Sequence, residues 1–280
     1  MLSILRRVDE RPPELLRQHY EVERELADRL RHSTREERRT LYGEVYDELY
    51  QRVPHHPQLT RKSSPELTRA ALRPQLQILR RYLRPDSALL EVGPGDCALS
   101  MAVAPGIRQV YGLDVSQKIT EQLSLPSNFK LILSDGSSVP LPPDSVDVAY
   151  SNQLMEHLHP DDAREQLQGI CRALRPGGVY ICITPNRLNG PHDVSQHFGS
   201  EATGFHLKEY TVGELTRLFR EVGFRKVQVL VGRRGAFVPV PVAPVIAGEK
   251  ALELLPWTPR QVLSRTIGRA FLGIRLIGTK

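Results

Sequence analysis

The chain has 280 residues, of which 40% are hydrophobic and 25% charged, with 20 Gly, 22 Pro and 3 Cys. That composition excludes collagenous, disordered and disulfide-stapled proteins, and it allows one large core with appendages or two domains. The formal net charge of +6 is unevenly spread: residues 1–85 carry +5, residues 86–230 carry −5 and residues 231–280 carry +6. Cys97, Cys171 and Cys182 are odd in number and fall in no CxxC spacing, which points to a reduced compartment without a cysteine zinc site. No apolar stretch reads as a secretion signal or a spanning helix, because Gly235–Gly248 is broken by Pro239, Pro241 and Pro244. The expectation is a cytoplasmic protein.

In chain order, residues 13–51 read as two charged helices joined near His32, with Ser-Thr-Arg-Glu-Glu (33–37) capping the second. Tyr42, Tyr46 and Tyr50 stand four apart and read as a packing stripe. Val53–Ser64 reads as a linker, in which His55 and His56 could touch a substrate but, as adjacent histidines between prolines, read first as solvated loop, and a further helix runs from Pro65 to Leu83. The boundaries follow: a helical cap and linker over 1–64, and a main domain over 65–280.

After Pro85, short apolar runs alternate with helix-length segments. Strands are expected at 88–92, 109–113, 129–133, 146–150, 179–183 and 226–231, which argues for a largely parallel sheet with helices on both faces. Ligands of such sheets bind beyond the carboxyl ends of the strands. The first of those loops, Glu-Val-Gly-Pro-Gly-Asp-Cys-Ala (91–98), fits a dinucleotide-type glycine turn, and this motif alone leaves the cofactor open. Asp114 ends the second strand, where a carboxylate can accept ribose hydroxyls, and Asp135 follows the third, where it can face an adenine edge. No Tyr is followed four residues later by Lys, the proton-relay pair common among short-chain dehydrogenases.

Glu-Val-Gly-Pro-Gly (91–95), Gly-Leu-Asp-Val (112–115), Ser-Asp-Gly (134–136), the run 145–158 and Leu-Arg-Pro-Gly-Gly (174–178) together resemble the successive motifs of class I S-adenosylmethionine-dependent methyltransferases. The resemblance covers roughly residues 65–235. It implies a Rossmann-like, seven-stranded, mostly parallel sheet whose last strand, near 271–278, runs antiparallel. It also implies S-adenosylmethionine as cofactor, with Glu91, Gly93, Pro94 and Gly95 at its methionine end, Asp114 and Val115 at the ribose, Asp135 and Gly136 at the adenine, and Asn152 near the sulfonium. The family's third glycine is replaced by Cys97, which fits if its side chain points away from the cofactor.

Candidate catalytic residues are His157, just after the fourth strand, and His192 and His206 in the turn-rich loop after the fifth. Asp193 and His197 lie in the same loop. In quinone-biosynthesis methyltransferases, which this stretch resembles, Glu-His at 156–157 has an acid three residues earlier and contributes to a metal site. Gln153 stands there in this chain, so no metal is expected. Thr211 is expected to cap a helix over 212–222. An insertion over 232–270 is expected to form a lid. In it, a helix at 258–269 would place Arg260, Ser264, Arg265 and Arg269 on one side and Val262, Leu263, Ile267 and Ala270 on the other, as for peripheral contact with the anionic inner face of a membrane.

The expected function is methyl transfer to a small-molecule acceptor, lipid-linked or a glycan precursor. With aromatic residues at 6% and no nucleic-acid module, a nucleic-acid acceptor is not expected. The alternatives are an NAD(P)-dependent oxidoreductase and a non-catalytic, membrane-associated scaffold that binds the same cofactor.

Overall fold

The computed structural model describes residues 9, 11–57, 65–116, 123–233, 236–266 and 272–280. Two antiparallel-packed helices, α1 (Pro13–His32) and α2 (Arg35–Arg52), form the cap. Thr34 closes a capping box with Glu37 at the start of α2, as the sequence suggests. Helix α3 (Pro65–Leu79) leads to β1 (Ala88–Val92), then α4 (Ala98–Val103), β2 (Gln109–Asp114), β3 (Phe129–Leu133), β4 (Val146–Asn152), α5 (Pro160–Ala173) and β5 (Leu174–Thr184). The chain ends with α6 (Val212–Glu221), β6 (Lys226–Arg233), β7 (Ala236–Pro241), α7 (Val242–Glu253), α8 (Trp257–Arg265) and β8 (Ile274–Thr279).

The sheet order is β3-β2-β1-β4-β5-β8-β6-β7, with β1 to β5 parallel and β8 antiparallel to both of its neighbours. Strand direction therefore puts Val92, Asp114, Leu133, Asn152 and Thr184 along one edge of the sheet. Alternate residues of β1 face opposite sides. Leu90 and Val92 join a core with α1, α2, α5 and α6, and Leu89 joins one with α3 and α4.

Among the described residues eight strands form rather than seven. The additional strand is β7, from the Pro-rich stretch of the insertion, and it pairs antiparallel with β6 at the sheet's rim. Pro239 and Pro241 lack the amide proton that an interior strand would donate on both sides, so the rim is the position open to them. Pro244 falls in the first turn of α7, where a missing N–H costs little.

The face expected of the helix at 258–269 is also corrected. In α8, Gln261 and Ser264 are buried whereas Val262 and Leu263 are 40% and 38% exposed. The reason is hydrogen bonding: Gln261 Nε2 donates to the carbonyls of Leu188 at 3.3 Å and Gly190 at 3.1 Å. Residues 267–270 of that expectation lie outside the described residues. Among the described residues, no helix is long and apolar enough to cross a membrane.

The cap is seated by a buried ion pair. Arg38 of α2 donates to both oxygens of Asp162 in the first turn of α5, Nε to Oδ2 at 2.5 Å and Nη2 to Oδ1 at 3.0 Å, and neither residue is more than 3% exposed. Tyr42 donates to the same carboxylate at 2.7 Å and accepts the His159 amide at 2.9 Å. Asp162→Ala would leave a buried guanidinium without its counter-charge and should cost about 3–5 kcal/mol. Urea unfolding checks this, and Arg39→Ala, at a half-exposed neighbour, should change stability by less than about 1 kcal/mol.

Candidate functional site

The turn after β1 is shaped by backbone conformation. Gly93 and Gly95 have φ of +67° and +60°, and the Gly93 amide donates to the Leu113 carbonyl at 2.9 Å. Nothing lies within 4 Å of where a Cβ on Gly95 would stand, so the backbone there borders open space that a ligand can approach. Cys97 takes a left-handed conformation as well, φ 57°, the geometry a third glycine would supply. Its side chain is fully buried in the core beneath α4, which is how this chain accommodates the substitution.

The acids expected around a cofactor follow along the same sheet edge. Asp114 is half-buried at the end of β2, with Oδ1 accepting the Ser116 amide at 3.1 Å. Val115 beside it packs on the first core. Asp135 accepts the amides of Ser137 and Ser138 through Oδ1 at 3.0 and 2.7 Å. Its Oδ2 lies 3.7 Å from Arg39 Nε. Burial raises its pKa, and those amide and hydroxyl hydrogen bonds outweigh it, so the carboxyl stays below its usual range. Gly136, φ +94°, is overlain by Tyr42 of the cap: a Cβ would sit 2.5 Å from its ring. Asn152 ends β4.

Glu91, the acid of the turn motif, is buried with its carboxyl hydrogen-bonded to Ser100 of α4. Burial pushes it up to about 7, against the pull of the Ser100 hydrogen bonds. Pro94 is buried between the two glycines. The open backbone at Gly95 and the row of carboxylates at 114 and 135 fit a nucleoside with a cationic amino-acid tail.

Next to Asn152, a cleft of about 830 Å³ opens between the cap and the loop after β5, and seven of the chain's nine histidines line it. Four segments supply them: α1, the residues after α2, the turn after β4, and the loop 185–206. Gln153, at the mouth of β4, holds a left-handed backbone (φ 56°), a strained conformation for a residue with a side chain.

The two ends of the cleft are polar. In the cap, Glu23 Oε1 meets His19 Nε2 at 2.7 Å and His56 Nε2 at 3.6 Å. Its Oε2 accepts the Phe205 amide at 3.1 Å. Burial works against the Glu23 charge, and these hydrogen bonds outweigh it, so the carboxyl lies well below its ordinary range. On the sheet side, His157 Nδ1 faces the Phe205 carbonyl at 3.0 Å. Burial, with the charge of His206 beside it, pushes His157 down to about 3. His206 Nδ1 lies 2.7 Å from Glu209 Oε1, and His192 Nδ1 lies 3.2 Å from Glu209 Oε2. Burial opposes charge on His206, but the bond to Glu209 and the fields of Glu156 and Asp193 carry it up to about 9. Glu209 is driven the other way, to about 2, where hydrogen bonds from His192 and His206 overcome burial.

The structure thus brings His157, His192 and His206 into one cleft, with Asp193 and His197 on its wall. His55 and His56, read from sequence as solvated loop, line it too, and His56 is 8% exposed. Glu209 and the cap's His19 and Glu23 escaped notice, although His19 and Glu23 stand i,i+4 on one helix face and His206 and Glu209 i,i+3. Tyr42 is buried packing, as expected of the tyrosine stripe, whereas Tyr46 lines the cleft. Among the described residues of the insertion 232–270 none lines the cleft.

Residues 90–182 match a family model described as a methyltransferase domain. A probable S-adenosylmethionine-dependent methyltransferase of Mycolicibacterium smegmatis is 31% identical over 137 residues, 49% of this chain and 51% of that protein. The tRNA N(3)-cytidine methyltransferase METTL2 of Mus musculus is 28% identical over 52% of this chain and 43% of its own length. The chain therefore spans about half the length of these curated relatives. Among solved structures, a phosphoethanolamine N-methyltransferase of Haemonchus contortus aligns with a TM-score of 0.58 at 17% identity, over 89% of this chain and 50% of that one. A methyltransferase of Archaeoglobus fulgidus aligns at 0.52 and 17%, over 79% and 96%. These likenesses show the fold. Nothing in the site supports the hydride-transfer alternative.

Because the folded Glu91 carboxyl titrates near 7 and a free one near 4.5, its contribution to stability is complete below pH 4.5 and lost as pH rises through 7. The loss is at most about 3 kcal/mol. Urea unfolding at pH 5 and pH 8 should show the wild type losing stability relative to Glu91→Gln over that interval.

Proposed function

Because the chain belongs to the class I S-adenosylmethionine-dependent methyltransferases, we propose that it transfers a methyl group to a small polar acceptor bound in the histidine-lined cleft. When bound, S-adenosylmethionine supplies an electrophilic methyl group on a sulfonium. The residues that would hold it are the Gly93–Gly95 backbone, Asp114, the Asp135–Gly136 loop and Asn152. Methyl transfer is an in-line displacement, so holding acceptor and methyl in line within a closed cleft supplies much of the acceleration.

The observation that carries the reading is the double use of Glu209. Its carboxylate takes His192 Nδ1 on one oxygen and His206 Nδ1 on the other, and the His192 amide also donates to it at 2.7 Å. His192 is the better placed base: it is 31% exposed at the side chain and its ring is oriented by a carboxylate, leaving Nε2 to take a proton from an acceptor hydroxyl. His157 and His206 lie deeper, on the wall nearest β4, and position the acceptor.

A small molecule suits a cleft of this size walled by the cap, the β4 turn and the loop after β5. The tRNA-modifying relative keeps nucleic acid in contention, and the basic ends of the chain are compatible with it. Incubating the protein with radiolabelled S-adenosylmethionine and either a small-molecule cell extract or bulk tRNA separates the two. Label in tRNA alone would overturn the small-molecule reading.

Two variants test the parts. Asp114→Ala removes charged hydrogen bonds to the ribose and should weaken S-adenosylhomocysteine binding by about ten- to hundredfold in calorimetry. His192→Gln should leave that affinity unchanged while lowering turnover by about a hundredfold or more. Unaltered turnover would remove His192 from the mechanism.

A further inference from the structure

We propose that Glu156, His157 and His206 form a binding site for one first-row transition-metal dication, such as zinc, cobalt or manganese, at the sheet end of the cleft. One donor atom from each residue lies within 4.8 Å of the others. Two imidazoles and one carboxylate with open positions are a donor set that suits such ions and leaves room for an oxygen of an acceptor. With bonds of about 2.1 Å a metal spans donors up to about 4.2 Å apart, so a small inward rotation of side chains closes the set.

The hydrogen bonds around these residues fix the tautomers that a metal requires. His157 Nδ1 faces a carbonyl, Phe205 O at 3.0 Å, which only accepts, so Nδ1 carries the proton and Nε2 presents a lone pair. His206 Nδ1 faces the carboxylate of Glu209 at 2.7 Å and keeps its proton there, so Nε2 is the nitrogen a metal would take, in exchange for the second proton of the imidazolium. A carbonyl behind one imidazole and a carboxylate behind the other are the outer partners that metal-binding histidines use. Glu156 is fully buried; its Oε2 accepts from Thr184 Oγ1 at 2.8 Å, and Oε1 has no hydrogen-bond partner. An unpartnered carboxylate oxygen in a buried site is costly unless a cation or proton meets it.

The other imidazole cluster of the cleft, His19, Glu23 and His56, is built differently. Arg11 Nη1 stands 2.9 Å from His19 Nδ1, and a guanidinium can only donate. The His19 proton is thereby placed on Nε2, toward Glu23, where a metal would need a lone pair. Gln153 argues in the sequence against a metal at 156–157, but the third ligand comes from His206, about fifty residues further along the chain.

The metal's role toward the acceptor rests on the function proposed above, whereas its binding is measured without turnover. The full chain, freed of metal with a chelator, is titrated with cobalt(II) chloride and followed by calorimetry and visible absorption. We expect one cobalt per chain with ligand-field bands. His206→Gln and Glu156→Gln should each lose at least a hundredfold in affinity, and Glu209→Gln, acting through His206, about ten- to hundredfold with a shifted spectrum. Circular dichroism confirms that each variant is folded, and Glu209→Gln, the mildest change, serves if the others are not. Absence of stoichiometric cobalt binding, an unchanged spectrum in His206→Gln, or loss of the metal in His56→Gln instead would overturn the proposal. Cobalt bound as expected without methyl transfer to any acceptor would count against the proposed function alone.

Discussion

The arrangement of this protein depends on bringing a highly charged helical cap against the carboxyl edge of a parallel sheet, and the Arg38–Asp162 pair makes that contact. Two charges taken out of water are costly, so the pair holds only because each partner's remaining valences are met: Arg38 also donates to the Ser33 carbonyl at 2.6 Å, and Asp162 accepts from Tyr42. Asp162 also lies in the first turn of α5, where the helix dipole favours a carboxylate. Through Tyr42 the same junction lays the cap over Gly136. The cap is thus docked over the loop that follows β3, and from there it reaches across to wall the cleft.

The loop after β5 is held between the cap and the insertion. From the cap, Arg31 donates to the carbonyls of Thr203, Gly204 and His206, and Tyr20 stacks on Phe198 at 4.5 Å. From the insertion, Glu249 of α7 accepts Asn186 Nδ2 at 2.7 Å and the amides of Val212 and Gly213 at 2.8 and 3.0 Å, joining the start of the loop to the start of α6. Burial raises the Glu249 pKa, but three donors on one carboxylate give a firm anchor. This explains why α8 turns its polar residues inward: its task is to bind loop carbonyls, and the residues left outside are Val262 and Leu263.

Within the cleft, charge is compensated locally. Glu23 is met by two imidazoles and an amide, Glu209 by two imidazoles and an amide, and Asp193 by the amides of Ser195 and Gly204. The peptide groups of Phe205 connect both halves, its N–H to Glu23 of the cap and its C=O to His157 of the sheet. A polar network satisfied in this way is rigid, and an acceptor entering it meets groups that are already oriented.

The turns along the carboxyl edge of the sheet were legible in the sequence because each of their parts is local. A strand, a glycine turn and a helix follow one another within a dozen residues, and each later acid sits at the end of its own strand, so periodicity and turn chemistry locate Gly93, Gly95, Asp114 and Asp135 without long-range information. Thr34 and Thr211 were legible as caps for the same reason. The eighth strand was hidden by its prolines, which a rim tolerates and a strand pattern does not reveal. The inward face of α8 was hidden because hydrogen bonds to a distant loop outweighed its apolar periodicity. The acceptor end was legible only in pieces: His157, His192 and His206 stand out one at a time, but Glu23, His56 and Glu209 acquire meaning from apposition. Sequence by itself determined the strands and the turns at their carboxyl ends; only the tertiary structure decided which histidines share one cleft, because that requires segments as distant as Glu23 and Phe205, 182 residues apart in the chain, to be pressed together by the seating of the cap.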